Sequence, residues 1–295
     1  MAKRIFLLFI TNIAVVLVLS VLLSILGIGR YTGPGGLNVG ALATFCFVWG
    51  MAGAFISLQM SRWMAKRAMG VQIVDGRTGR DEPDWLYRTV ERLTQQAQLP
   101  MPEVGIYESN EVNAFATGPS KSRSLVAVSS GLLRSMRRDE AEGVLAHEVA
   151  HIANGDMVTM TLLQGVINAF VMFLARIIAF AIASRGNSRD DRSPMMEYMV
   201  IFVLQIVFGI LGQVVVAWFS RQREFRADYG GATLAGRDRM VGALRRLAAN
   251  HELVDPQHQE LAAFKINGGT SRWTALLSTH PPLEARIAAL ENARL

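Results

Sequence analysis

His147-Glu148-Val149-Ala150-His151 carries the most specific chemistry in this sequence. On a helix, side chains four positions apart lie on one face, a turn from each other, so His147 and His151 can grip a single metal ion. Glu148, next to His147, can reach a water on that ion without being a ligand. Two imidazoles plus a carboxylate, with one position open to water, suit zinc, and H-E-x-x-H is the spacing by which such a site hydrolyses peptide bonds. The alternative is a pair of histidines satisfied on a helix face. The flanking residues favour the first reading. Asp139 can cap the helix, Glu142 stands three residues later as in a capping box, and Asn154-Gly155 can supply a left-handed stop.

Two histidines and a water leave one position of a tetrahedral zinc unfilled. The remaining histidines, His251, His258 and His280, and the carboxylates are the candidates. Glu224 stands out, in Ser220-Arg221-Gln222-Arg223-Glu224-Phe225-Arg226-Ala227-Asp228. Asp228 shares its helix face, so one carboxylate can bind the metal while the other orients a ligand histidine. With three arginines close by, an exposed ion-paired helix turn fits the same residues, and spacing alone does not choose.

The elements that must hold these residues are apolar. The chain has 295 residues, of which 51% are hydrophobic and 18% charged, against about 25% charged in an average soluble domain. Four runs approach the roughly 20 apolar residues that span a bilayer: Ile5 to Ile28, Val39 to Met60, Val158 to Ala183 and Met199 to Phe219. The first is longer than the core of a signal peptide and no cleavage site follows it, so it reads as an uncleaved anchor. Gln164, Asn168 and Arg176 interrupt the third run and Gln205 and Gln213 the fourth. The second pair therefore reads as a spanning hairpin or as a buried, interfacial one.

Lys3, Arg4, Arg62, Lys66, Arg67, Arg134, Arg137, Arg138, Arg221, Arg223 and Arg226 flank the runs on one side. Arg30, Arg185, Arg189 and Arg192 flank them on the other. That bias places both termini and both polar segments in the cytoplasm of a multi-pass membrane protein. The net charge of +6 then reflects topology rather than nucleic-acid binding, since no basic face with stacking aromatics is apparent. The single cysteine, Cys46, lies inside an apolar run and reads as a packing residue.

The polar segments predict a mainly α fold with a small β-sheet (α+β). A helix capped by Asp84 and running to Ala97 carries Leu86, Val90 and Leu93 on one face. Glu103 to Tyr107 and Leu125 to Ser129 read as strands. The last segment reads as helical, broken near Asn267-Gly268-Gly269 and at Pro281-Pro282. Residues 1–60 then form an N-terminal hairpin, 61–157 the first part of a catalytic domain, 158–219 a second hairpin inserted in it, and 220–295 its second part.

At these residues the chain resembles the HtpX family of membrane-bound zinc metalloproteases, related to the CAAX prenyl-protein peptidases. The likeness runs through Asn113-Ala114-Phe115-Ala116-Thr117-Gly118, Val126 to Leu133, His147 to Asp156, Arg223 to Asp228 and Thr279-His280-Pro281-Pro282-Leu283-Glu284-Ala285-Arg286. It implies a zincin-like catalytic domain holding one zinc ion, with Glu224 as third ligand and Asp228 as partner of a ligand histidine. It implies that Asn113, Ala114 and Phe115 border the cleft and pair with extended substrate, and that His280 and Arg286 stand near the developing oxyanion. It implies proteolytic quality control of misfolded or damaged membrane proteins under stress, at the cytoplasmic face of a bacterial inner membrane.

Three rival readings remain. An intramembrane protease would carry its H-E-x-x-H inside a span, whereas Arg134, Arg137, Arg138, Asp139, Glu140 and Glu142 precede this one. A CAAX-type prenyl-protein peptidase shares the chemistry and differs in substrate. A non-catalytic membrane scaffold with structural zinc would need a closed, cysteine-rich site, and the only cysteine lies in a span.

Overall fold

The computed structural model describes residues 32–33, 36–185, 194–254 and 277–294. The first apolar run, most of the arginine-bearing 184–194 loop, the Asn267-Gly268-Gly269 break, His258 and the side chain of His251 lie outside the described residues. The chain divides into two compact units. One takes in residues up to Leu58 together with Thr159–Val216, the other Gln59–Val158 together with Ala217–Leu295.

Two-residue strands β1 (Thr32–Gly33) and β2 (Gly36–Leu37) pair antiparallel and precede helix α1 (Val39–Met69). The other long apolar helices are α5 (Asp156–Arg185) and α6 (Pro194–Ala235). Among the described residues these three are long and apolar enough to cross a membrane. In the first unit they meet over small residues. A Cβ on Gly50 of α1 would stand 2.6 Å from the Gly165 carbonyl of α5, the close backbone approach by which apolar helices associate where lipid supplies no hydrophobic drive. Cys46 is buried there, as its reading as a packing residue requires. Two polar residues of α5 find neighbours nearby: Gln164 donates to Asn168 at 2.9 Å, and Arg176 donates Nη1 to the Met172 carbonyl at 3.3 Å and lies 5.5 Å over the Phe45 ring, while its Nε is buried without a partner.

The second unit is built on a four-stranded sheet of order β3-β4-β6-β5, with β3 (Gln72–Val74), β4 (Glu103–Tyr107), β5 (Ala114–Thr117) and β6 (Leu125–Ser129). Strands β4 and β6 run parallel, from Glu103 opposite Leu125 to Tyr107 opposite Ser129, and the outer pairings are antiparallel. The alternation in β6 leads one to expect a single buried face, yet all five residues are buried. Val126 and Val128 join a core with Leu86, Val90 and Leu93 of helix α2 (Asp81–Gln96) and Leu145, Val149 and Ile152 of helix α4 (Arg138–Asn154). Leu125 and Ala127 pack on the other side with Tyr107, Met69 and Phe115. Helices α3 (Ser130–Ser135), α7 (Arg237–Val254) and α8 (Leu283–Asn292) and a 3-10 turn at Lys121–Arg123 complete the described elements.

Two expected caps sit elsewhere. Helix α2 starts at Asp81, not at Asp84, because Asp81 and Glu82 suit the positive helix end and Pro83 loses no bond in a first turn. The Asp84 carboxylate instead accepts from the Thr78 N–H at 2.9 Å, the Thr78 hydroxyl at 2.7 Å and the Gly79 N–H at 3.2 Å. Those bonds hold its pKa below the usual carboxylate range. In α4 the cap lies at Arg137, whose N–H donates to Glu140 at 2.9 Å, rather than at Asp139 and Glu142. This register frees Glu142 to accept from Arg92 of α2 at 2.7 Å and Arg239 of α7 at 3.1 Å, tying α4 to both neighbours. The expected stop at Gly155 is present, with φ 70°.

Candidate metal centre

Helix α4 buries His147 and His151 on the face it turns toward α6. That approach depends on Gly231 of α6, where a Cβ would come within 3.0 Å of the His147 backbone nitrogen. Glu224 lies two turns earlier on the same helix, and the crossing carries its carboxylate over the two rings. His147 Nε2 and His151 Nε2 are 3.0 Å apart; Glu224 Oε1 is 3.4 Å from the second and Oε2 is 3.6 Å from the first. One donor atom from each residue thus falls within 4.8 Å of the others. Donors held about 2.0–2.1 Å from one tetrahedral ion stand about 3.3 Å apart, and the observed separations bracket that spacing.

Each ring is oriented through its other nitrogen. His147 Nδ1 lies 2.9 Å from Asp228, and His151 Nδ1 lies 2.6 Å from Asp156, the first residue of α5. Both contacts are carboxylate–histidine pairs of the kind that fix a metal ligand's tautomer and leave Nε2 free. The sequence pattern gives Asp156 no role of its own, although its position just beyond the Gly155 stop is the signal that points to it. Arg286 of α8 donates Nε and Nη2 to Asp228 at 2.7 and 2.6 Å and brings Nη1 to 3.4 Å from Glu224. His280 donates Nδ1 to Glu224 at 2.9 Å, with its side chain 63% exposed.

Charge completes the fit. Among the described residues the buried aspartate, glutamate, lysine and arginine side chains are Asp156, Glu224, Asp228 and Arg286, so the carboxylates exceed the guanidinium by the charge of one divalent ion. Arg223 and Arg226 reach Glu224 and Asp156 from more exposed positions, at 3.5 and 3.8 Å. Burial alone would lower the His147 pKa, but Asp228 and Glu224 outweigh it and push it up to about 9. His151 is raised in the same way, by Asp156 and Glu224 against burial. Burial would raise Glu224, yet His147, His151 and His280 hold it far below the carboxylate range, and Arg286 with His147 does the same for Asp228. These polarised pairs are what a cation must find: ligands already aimed, with acceptors in place for the ring protons.

Glu148, Asn113 and Ala114 line a cleft of about 650 Å³ together with His147, Glu224, His280 and Arg286. Phe115 is not on its lining; it packs on Tyr107 beneath the sheet, ring centroids 5.6 Å apart. This follows from strand alternation, which sends neighbouring side chains to opposite faces. Among the described residues β5 is an edge strand of the sheet, and the N–H of Asn113, which precedes it, is held by Ser129 Oγ at 3.1 Å.

A cleft with metal-binding geometry, a carboxylate beside it and a strand that is an edge among the described residues, together with three apolar helices among those residues, defines a membrane-associated metallopeptidase. The sequence profile of peptidase family M48 matches residues 81–294. Protease HtpX of Acinetobacter baumannii (strain AYE) is 50% identical over 295 residues, covering 98% of each chain, and Protease HtpX of Shewanella oneidensis is 52% identical, covering 98% of this chain and 99% of its own. The chain belongs to peptidase family M48, among its HtpX proteases. The crystal structure of S. mikatae Ste24p shares the fold, with a TM-score of 0.63 at 16% identity over 99% of this chain and 67% of that one.

Proposed function

We propose that this protein is a zinc endopeptidase that cleaves misfolded or damaged membrane proteins at the cytoplasmic face of a bacterial inner membrane. The observation that carries the reading is the convergence of His147 Nε2, His151 Nε2 and a Glu224 oxygen on one point, with Asp228 and Asp156 behind the rings. His147, His151 and Glu224 would hold one zinc ion per chain. Zinc bound there supplies a Lewis acid that lowers the pKa of a water to about 7 and polarises the scissile carbonyl. Glu148 takes the proton from the attacking water and delivers it to the departing amine. Asp228 and Asp156 keep the imidazoles in the tautomer that presents Nε2. His280, 2.9 Å from Glu224, and Arg286, with Nη1 3.4 Å from it, would stabilise the negative charge that grows on the carbonyl oxygen. The backbone from Asn113 to Phe115 pairs with an extended substrate as an added strand, reading shape more than sequence.

The cytoplasmic placement rests on the lysine and arginine bias, and the bilayer as surroundings rests on the apolar helices. The test is metal analysis of the purified protein together with cleavage of an unfolded membrane protein in detergent, with and without chelator. One zinc per chain is expected, with cleavage lost on chelation and restored by zinc. A zinc-loaded protein inert toward every polypeptide offered would overturn the reading.

A further inference from the structure

The 3-10 turn at Lys121–Arg123, between β5 and β6, has a fixed backbone. The Arg123 N–H donates to the Ser120 carbonyl at 3.1 Å and the Ser124 hydroxyl to the Lys121 carbonyl at 3.0 Å. Gly118, at φ 143°, lets the chain fold back here, because a Cβ on it would collide with the Arg123 carbonyl. Two apolar helices meet this turn. Arg123 Nη2 donates to Gln59 Oε1 of α1 at 3.4 Å, and Gln59 stands at the end of the apolar run from Val39 to Met60. The Lys121 side chain lies over Gly155, its Cε 4.0 Å from where a Cβ would stand, and Gly155 directly precedes α5. Lys121, Ser122 and Arg123 are all exposed. A segment lodged between the exits of two apolar helices lies at the level where hydrocarbon gives way to water. Trp63 of α1, one turn past Gln59 and 47% exposed, is an aromatic of the kind that gathers at that level.

Charge at this level is mainly of one sign. Glu103 adjoins the turn, its N–H donating to the Ser124 carbonyl at 3.0 Å, and its carboxylate is taken by Lys66 at 2.9 Å and Arg62 at 3.5 Å. Arg123 has only the neutral amide of Gln59, and the Lys121 ammonium meets no carboxylate among the described residues. On the turn and the α1 segment beside it, the four cations Arg62, Lys66, Lys121 and Arg123 thus stand against one carboxylate, an excess of three positive charges. We infer that this turn rests on the bilayer surface and binds the phosphate headgroups of anionic phospholipids through Lys121 and Arg123. The inference does not depend on the peptidase reading; it depends on α1 and α5 lying in a bilayer. A guanidinium offers a phosphate two parallel N–H donors, and each cation held at an anionic surface strengthens attachment about fivefold. Strand β5 runs into the turn, so the lipid contact fixes its Thr117 end at the membrane surface, with Asn113 and Ala114 at the other end lining the cleft. A polypeptide aligned on that edge would then reach the cleft from the bilayer side.

The test is native mass spectrometry of the full-length protein, equilibrated in detergent with equal amounts of phosphatidylglycerol and phosphatidylcholine. It compares the unsubstituted protein, the double variant Lys121→Gln/Arg123→Gln, and Arg134→Gln. Arg134 lies beyond the other end of β6, exposed and bonded to the Asn110 amide oxygen at 3.2 Å, and so serves as a control of like charge and bonding. The unsubstituted protein is expected to retain phosphatidylglycerol in preference to phosphatidylcholine. The double variant is expected to lower that preference about 5- to 25-fold, and Arg134→Gln to leave it unaltered. A second measurement places the turn directly. A fluorophore on Ser122→Cys, with Cys46→Ala removing the native thiol, is expected to be quenched by headgroup-spin-labelled lipid in bilayers, more strongly when phosphatidylglycerol is present. No preference for the anionic lipid, a preference that the double variant does not lower or that Arg134→Gln lowers equally, or a fluorophore that the lipid label does not quench overturns the inference. Each of these outcomes leaves the protease reading intact.

Discussion

Replacing Asp228 by asparagine probes the centre without touching a metal ligand. Asp228 accepts two bonds from Arg286, at 2.7 and 2.6 Å, and faces His147 Nδ1 at 2.9 Å. Asparagine keeps the shape but loses the charge, and its amide can accept at only one oxygen. Two separate losses follow. The Arg286 guanidinium, 7% exposed, is left with Glu224 at 3.4 Å as its nearest anion. Breaking a buried pair by removing one partner costs about 3–5 kcal/mol, and the remaining acceptor and Glu224 place this case near 3. His147 also loses the anion that fixes its tautomer, a change that typically weakens metal binding about 10- to 100-fold, or about 1.4–2.7 kcal/mol. The assay is competition for zinc against a chelator of known affinity, with thermal unfolding of chelated and zinc-loaded protein alongside. Adding Arg286→Met removes the stranded guanidinium and is expected to recover most of the stability while zinc affinity stays low. Zinc affinity of Asp228→Asn within twofold of the unsubstituted protein would refute the assignment of Asp228 as the partner that orients His147.

Glu148→Gln is expected to keep a full zinc complement and to lower kcat by about 10²- to 10⁴-fold, the usual contribution of a positioned proton carrier; retained cleavage removes Glu148 from that role. Glu224→Ala leaves two histidine ligands, so the protein is expected to emerge from dialysis without zinc, and unchanged metal content would point to a different third ligand. Gly231→Val drives a side chain against the His147 backbone and Met240 Sδ, each 3.0 Å from where the first carbon would stand. A stability loss of about 1–3 kcal/mol is expected from such overpacking, read by chemical unfolding, and an equally stable variant would contradict the tight crossing of α4 and α6. Asp84 has its folded pKa depressed by its bonds to Thr78 and Gly79. Its contribution is therefore present above the unfolded value of about 3.9 and is lost as pH falls through the lower folded value. Asp84→Asn should accordingly unfold at a lower temperature than the unsubstituted protein at pH 7 but not at pH 2, and a difference that persists at pH 2 would argue against ionisation as its cause.

Much of this protein is decided by short stretches of sequence. The four-residue spacing of His147 and His151 puts both rings on one face wherever the helix goes, because helical period is a property of the backbone within a turn. The long apolar helices, strands β4 and β6 and the Gly155 stop are legible for the same reason: hydrophobic runs, alternation and a left-handed glycine act locally. Helix starts are less so. Arg137 with Glu140 and Asp139 with Glu142 present the same cap spacing, and only the arginines of α2 and α7 that claim Glu142 select between them.

Long-range partners were not decided locally. Spacing allowed Glu224 to be either a metal-facing carboxylate or part of an exposed ion-paired turn. Its burial to 1% exposure over the two imidazoles comes from packing α6 on α4, which Gly231 permits. Asp156 faces His151 across the left-handed stop at Gly155, and Arg286 meets Asp228 because α8 returns to the cleft. Backbone geometry dictates which residues share a helix face, but the residue opposite that face depends on the crossing of elements far apart in the chain, and so belongs to the tertiary structure alone.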